Sequence, residues 1–445
     1  MLSEQTLYWI WLARACGVAS KSFVRLISRF LDPFEIYSLD EEQIEHIEGI
    51  GASLKVKLCD KSLEESYSVL RFCKKNGVDI ISYGDKRYPT RLRLLEDAPT
   101  LLFCKGKFPD FDSRVAIGVV GTRKMSEYGK QSAYKIAYEM AAANVIVVSG
   151  MALGIDGVSA CGAIGAGGDT VAVLGSGIDV VYPKQHTELY KRIAKCGCVI
   201  SEYMPSTPPE KYNFPIRNRI ISGLCQGTLV VDGDRRSGSL ITAKDAIAQG
   251  REVFALPGKI NEINSEGPNE LIRDGAYAVL EVEDILSHYD FLYHDAINYS
   301  ALRKAKKNSQ INEKLLDELD VYVMTYGARS EESPVRENDS VALAGGKERK
   351  TNTRTKSKTE GEKISGSAER STEAVGTRVE TDGGLLAGLE EGVRRVFEAM
   401  PIDSAVSPDS LVGENGDVGD TITALTMLEL CGLVTSLPGG LYIRK

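Results

Sequence analysis

Arg217, Asn218 and Arg219 stand side by side in NFPIRNRIISGL (213–224), directly before an apolar run. Two guanidiniums after a Phe-Pro and at the start of a helix suit an anion. They can hold two successive phosphates, or one phosphate and one carboxylate, through charge-assisted hydrogen bonds. The competing reading is structural: an ion pair with a nearby acid such as Glu202 or Asp232. Pro215 holds Phe214 away from helical geometry.

Four more loops of the same kind follow apolar runs. In GVVGTRKMSEYG, Gly121 ends a strand, Thr122, Arg123 and Lys124 enter the loop, and Ser126 is placed to cap the next helix. Backbone donors, a helix N-terminus and a cation then meet in one place. SGMALGIDG is made of small residues that let a ligand approach the backbone, and Asp156 in it reads as a helix cap. GSGIDVVYPKQH presents Lys184 after Tyr182-Pro183, either as a solvated lysine or as an anion contact. In DGDRRSGSLITAKDA, Ser237, Gly238 and Ser239 form a phosphate nest ahead of a helix that carries Lys244. Arg235 and Arg236 flank that loop, offset by Asp232 and Asp234. Tyr182, Tyr212 and Phe214 are interleaved with these cations. Cations with aromatics suit single-stranded nucleic acid, whose bases stack at about 1–3 kcal/mol each; they also suit a nucleotide.

No G-x-x-x-x-G-K-[ST], G-x-S-x-G or G-x-G-x-x-G pattern occurs in these loops. His186 reads as a polar surface residue, and no nucleophile stands with a base. The expectation is a protein that is not an enzyme and takes no cofactor. Four dispersed histidines and nine cysteines without a CxxC pair show no metal spacing and suit the reducing cytoplasm. The rival reading is a Rossmann-like hydrolase acting on nucleoside monophosphates, with Glu202 or Asp156 as its acid or base.

The elements that must position these loops are legible in the apolar pattern. Over residues 113–287, runs such as RVAIGVVG, VIVVSG, TVAVLG, CVISEY, GTLVVD and EVFALPG alternate with helical segments. Continuous Val/Ile/Leu runs separated by helices predict a doubly wound α/β domain with a mostly parallel sheet. Ligands in such sheets lie beyond the carboxyl ends of the strands. Residues 1–76 predict a helical domain, and IEHIEGIGASLKVKL carries the I-x-G-I-G pattern of a helix-hairpin-helix turn. Residues 77–290 hold the Rossmann-like domain. Residues 291–384 read as a helical extension followed by a linker too polar to fold. Residues 385–445 read as a small winged helix whose recognition segment, 420–431, contains no Lys or Arg. The formal charge of −8 excludes global recruitment of nucleic acid by charge, so any anion site is local. No apolar run reaches the roughly 20 residues of a membrane span, and the first residues read as an amphipathic helix rather than a signal peptide.

VGTRKMSEYG, SGMALGIDG, GSGIDVVYP, FPIRNRIISGL, SGSLITA, VFALPG and PNELIRDGA occur in this order. Together they resemble the DNA-processing protein A (DprA/Smf) family of bacteria. The resemblance implies an extended Rossmann-like fold that binds single-stranded DNA without cutting it. It also implies protection of incoming DNA, loading of the RecA recombinase during natural transformation, and a homodimer. Carried over by motif, Gly121, Thr122, Arg123, Lys184, Phe214, Arg217, Asn218 and Arg219 line the DNA groove, with Ser237, Ser239 and Lys244 beside them. Asp232-Gly233 departs from the family's acidic-alanine strand ending, and the linker is longer than the family's pattern.

Overall fold

The computed structural model describes residues 5–321, 324–325, 391–401, 406–411, 433–437 and 441–444, with Thr421, Ala424, Leu425 and Leu428. The chain divides into two compact units, residues 1–337 and 338–445.

The first unit opens with helices α1 (Gln5–Cys16), α2 (Lys21–Phe30), α3 (Pro33–Ser38), α4 (Glu41–Glu45), α5 (Ala52–Cys59) and α6 (Glu64–Asn76). Local chemistry sets their starts. Ser20 accepts a hydrogen bond from the Phe23 N–H ahead of α2, and Asp40 and Gln43 form a reciprocal capping box on α4. The Ile47–Gly51 turn joins α4 to α5, with Gly49 at a φ of +78°.

The sheet is built from β1 (Asp79–Ser82), β2 (Leu101–Gly106), β3 (Ala116–Val120), β5 (Ile146–Ser149), β6 (Thr170–Val173), β7 (Cys198–Ser201), β8 (Gly227–Val230), β9 (Glu252–Ala255) and β10 (Tyr277–Ala278). The two-residue strand β4 (Lys124–Met125) lies outside it. Between the strands run α7 (Thr90–Arg93), α8 (Glu127–Ala142), α9 (Ile155–Gly165), α10 (Thr187–Cys196), α11 (Asn213–Leu224), α12 (Ser239–Ala248) and α13 (Glu266–Arg273). The strand order is β1-β2-β7-β6-β5-β3-β8-β9-β10. All neighbours from β7 to β10 are parallel, while β1 and β2 extend the edge antiparallel. Residues 77–112, ahead of the alternating segment, thus supply two strands of the sheet.

Alternate residues of the central strands enter two different cores. Ile117, Val119 and Val147 pack with α8, α9 and the N-terminal helices, and Ala116, Val120 and Val148 pack with α7, α11 and α12. Both faces are therefore covered, as a parallel sheet requires.

After β10 come α14 (Val282–Leu286), α15 (Asp290–Tyr293), α16 (Tyr299–Ala305) and α17 (Glu313–Glu318). This extension folds back over α8: the Lys130 ammonium lies 2.7 Å from Glu313, and the Ser309 hydroxyl donates to buried Glu139 at 2.7 Å. Strand β11 (Met324–Thr325) then pairs in parallel with β4. The expected linker, 329–384, lies outside the described residues.

The second unit contains α18 (Glu391–Ala399) and the antiparallel strands β12 (Val434–Leu437) and β13 (Leu441–Arg444). Val393, Phe397, Leu425, Leu428 and Val434 form its core. Most of the expected recognition segment, 420–431, lies outside the described residues.

Candidate nucleic-acid interface

From β3 the chain moves to one side, building β5, β6 and β7, then crosses back to build β8, β9 and β10 on the other side. The reversal leaves a crevice beyond the carboxyl ends of β3 and β8, where open α/β sheets bind ligands. A cavity of about 580 Å³ occupies it. Its walls come from the loops after β3, β5, β6 and β8 and from the first turns of α11.

The loop after β3 brings Gly121, Thr122, Arg123 and Lys124 to the cavity, and Ser126 caps α8 by accepting from the Gly129 N–H at 2.9 Å. Across the crevice, Ser237 and Ser239 stand with their hydroxyls 2.8 Å apart at the N-terminus of α12. The two hydroxyls, at the positive end of the helix dipole, favour an anionic oxygen. Arg236 borders the same loop.

Helix α11 supplies Phe214, Arg217 and Asn218; contrary to the expectation from Pro215, Phe214 lies inside the helix, because proline is tolerated in a first turn. Arg217 is buried and donates through Nη1 to the carbonyl oxygens of Gly150, at 3.0 Å, and Val173. Its Nε donates to Asn218 Oδ1 at 3.2 Å, and Nη2, beside Gly150, has no hydrogen-bond partner among the described residues. Burial lowers the Arg217 pKa to about 10, opposed by the Asp156 carboxylate, so the side chain stays charged at neutral pH. Asp156 does not cap its own helix. It accepts from the N–H groups of Gly150 and Ala152, at 3.0 and 3.4 Å, and fixes the loop after β5. Gly154 in that loop has a φ of +81°, and a Cβ there would meet the Thr122 carbonyl oxygen at 2.4 Å, so only glycine brings the two loops this close.

An aromatic wall completes the crevice. The Phe214 and Tyr182 rings lie 5.3 Å apart at 33°, and the Arg123 guanidinium sits 6.0 Å from the Phe214 ring centre. Tyr182 keeps an exposed face.

Of the residues singled out in the sequence, the cavity unites Gly121, Thr122, Arg123, Phe214, Arg217, Asn218, Ser237 and Ser239. Arg219 does not join them. Two positions on from Arg217, it points into the protein, where Nη2 donates to Glu202 at 2.5 Å and Nε lies 3.5 Å from Asp97. The ion-pair alternative thus describes Arg219, with Glu202 rather than Asp232 as the main partner. Lys184 and Lys244 are exposed but outside the cavity lining. His186 is a correction: it is fully buried, with Nδ1 3.0 Å from the Met151 carbonyl oxygen. Asp232 does not offset Arg235 and Arg236, because it is buried and bonded to Ser126. Glu202 lines a different cavity from Asp156. Among the described residues no group of histidines, cysteines and carboxylates could hold a metal ion.

Lys211 lines the cavity and was not singled out in the sequence. Its signal was proximity: it precedes Tyr212 and stands three residues before Phe214. Arg123, Lys124, Lys211 and Arg236 are all exposed, and none makes an ion pair among the described residues.

Residues 79–290 match the family model of DNA recombination-mediator protein A. DNA processing protein DprA of Bacillus subtilis is 40% identical over 236 residues, which cover 52% of this chain and 80% of that protein. The chain belongs to the DNA recombination-mediator protein A family. DprA of Streptococcus pneumoniae is 42% identical over 212 residues, 46% of this chain and 73% of that protein. Protein Smf of Synechocystis is 27% identical over the full length of both chains. The X-ray structure of the pneumococcal protein superposes with a TM-score of 0.56 at 33% identity, covering 63% of this chain and 97% of that one. Every residue that lines the crevice lies within the matched segment, 79–290.

Proposed function

We propose that this protein binds single-stranded DNA in the crevice at the strand reversal, as a recombination mediator that acts by holding the strand rather than by cutting it. The observation that carries the reading is that four exposed cations, which make no ion pair among the described residues, line the same crevice as the Tyr182–Phe214 wall. Arg123, Lys124, Lys211 and Arg236 hold phosphates, Arg217 and the Ser237 and Ser239 hydroxyls add fixed donors, and bases stack on the aromatic face. Phosphate contacts carry no sequence information, so binding is sequence-tolerant.

In the fuller reading the bound strand is incoming DNA during natural transformation, protected and handed to the RecA recombinase by a homodimer in the cytoplasm. Family membership supports this role. The homodimer is supported by Tyr277, Leu280, Phe291 and Leu292, exposed apolar side chains at and just after the β10 edge. Among the described residues no helix is long and apolar enough to cross a membrane. The helix-hairpin-helix and winged-helix assignments belong to the same proposal, with the winged helix as a protein-contact or structural unit.

A nucleotide hydrolase gains less support from the geometry, since Glu202 lines a different cavity and the Asp156 carboxylate is taken up by the Gly150 and Ala152 N–H groups. The test is a gel-shift comparison of single-stranded with duplex DNA, with mononucleotides as competitors. Preferential retention of the single strand supports the proposal. Indifference to unpaired oligonucleotides at low salt, together with turnover of a nucleoside monophosphate, would overturn it.

A further inference from the structure

Helix α11 has two ends with different attachments. Its first turns form the crevice, and its middle is tied to the N-terminal helices. Buried Arg219 bonds Glu202 through Nη2, and Glu202 Oε1 accepts a hydrogen bond at 3.2 Å from the Ala19 N–H. Ala19 lies in the α1–α2 turn at a φ of +51°, a left-handed conformation that a residue with a Cβ adopts only when held there. Glu202 thus joins three parts of the chain: α11, the end of β7 and the N-terminal turn.

This seat is not a packed weld. Gly17, Val18, Glu202 and Tyr203 border a cavity of about 370 Å³, which gives the turn room to move. Arg219 Nη1 is buried without a hydrogen-bond partner, and Nε faces Asp97 only at 3.5 Å, so the guanidinium has a donor in reserve for another arrangement. A purely structural arginine in a dry core would have its donors satisfied.

We infer that Arg219 is a positioning residue, which through Glu202 couples the seating of the N-terminal helices to the placement of Arg217 and Asn218 in the DNA crevice. The inference rests on the proposed single-strand binding. When the Ala19 turn is seated, Glu202 is held from one side and fixes Arg219 on the other. Arg217, half a turn earlier on the same rigid helix, then keeps its carbonyl contacts and its place in the crevice. Coupling is reciprocal, so a bound strand holds the N-terminal turn in place.

The experiment uses the full-length chain and fluorescent single-stranded oligonucleotides over a range of salt. Arg219→Ala and Glu202→Gln should each weaken binding at least about fivefold, the low end of ordinary coupling between sites. They should leave the slope of log affinity against log salt unchanged, because no phosphate contact is removed. Arg219→Lys, which keeps the charge facing Glu202, should recover part of the affinity. Saturating oligonucleotide should slow hydrogen exchange of the Ala19 amide in the unaltered protein and not in Glu202→Gln. Lys21→Ala, which removes an exposed pair with Glu96 at the same junction, should change neither readout. A salt slope lowered by Arg219→Ala, or Ala19 exchange indifferent to DNA, would overturn the inference while leaving single-strand binding intact. An unaltered protein that ignores the oligonucleotide would instead overturn the proposed function.

Discussion

The Asp232 carboxylate accepts hydrogen bonds from both the backbone N–H and the hydroxyl of Ser126, at 2.7 and 2.9 Å. Ser126 ends the loop after β3 and Asp232 begins the loop after β8, so this contact ties the crevice walls together. It also fixes the Ser126 hydroxyl that caps α8. Gly129 leaves the space for it, since a Cβ there would lie 2.2 Å from Asp232 Oδ2. Asp232→Ala should cost about 1–3 kcal/mol of stability, the range for a buried hydrogen-bonded group whose partners are orphaned. Denaturant unfolding measures it, and a loss under about 0.5 kcal/mol would show that the tie is idle. Gly129→Ala should destabilise through the same contact.

Arg123→Ala and Lys211→Ala should each weaken single-strand binding for every sequence tested and reduce the salt slope by about 0.7 per lost phosphate contact. Both side chains are exposed, so the melting temperature should stay within a degree or so of the parent. An unchanged slope for Lys211→Ala would remove it from the interface.

Phe214→Ala should cost about 1–3 kcal/mol of binding with little effect on the salt slope, because it removes a stacking surface and no charge. Titrations at two salt concentrations separate the two effects. A loss confined to low salt would point to displacement of Arg123, which lies over that ring.

Asp245 on α12 gives a pH signature. Burial, with the Asp97 carboxylate adding to it and Arg219 opposing, raises its pKa to about 6, and its Oδ2 is buried without a partner. The folded form therefore holds this proton more tightly than the unfolded chain does. The stabilising contribution is complete below the unfolded value near 4 and is lost as pH rises through about 6. Asp245→Asn should raise the melting temperature at pH 7.5, and the gain should shrink to nothing as pH falls to 4. A gain independent of pH would refute the assignment.

Deleting residues 385–445 should leave most single-strand affinity in place, because every cation assigned to the crevice lies in the first unit. Loss of nearly all binding by a folded deletion variant would reassign the second unit as a DNA contact.

The sheet, its loops and most of the crevice were legible in the sequence because they rest on local patterns. Val/Ile runs mark buried parallel strands, and Ser126 before a helical segment marks a cap. What escaped depends on distant partners. The spacing of Arg217 and Arg219 says that they diverge on a helix, but not which one faces inward; that is decided by Glu202 and Asp97. Asp232 seemed to cancel Arg235 and Arg236 because its true partner lies 106 positions earlier. His186 seemed a surface residue because nothing nearby shows that the loop after β5 packs over it.

The crevice takes its walls from positions as far apart as Gly121 and Asn264. No contiguous fragment shorter than that span can assemble it, and its halves meet only when both wings of the sheet are in place. Nicking the chain between β3 and β8 should therefore abolish retention of the strand even where secondary structure survives. A bound strand should in turn shield the whole span from proteolysis, because mass action favours the only form that can hold it.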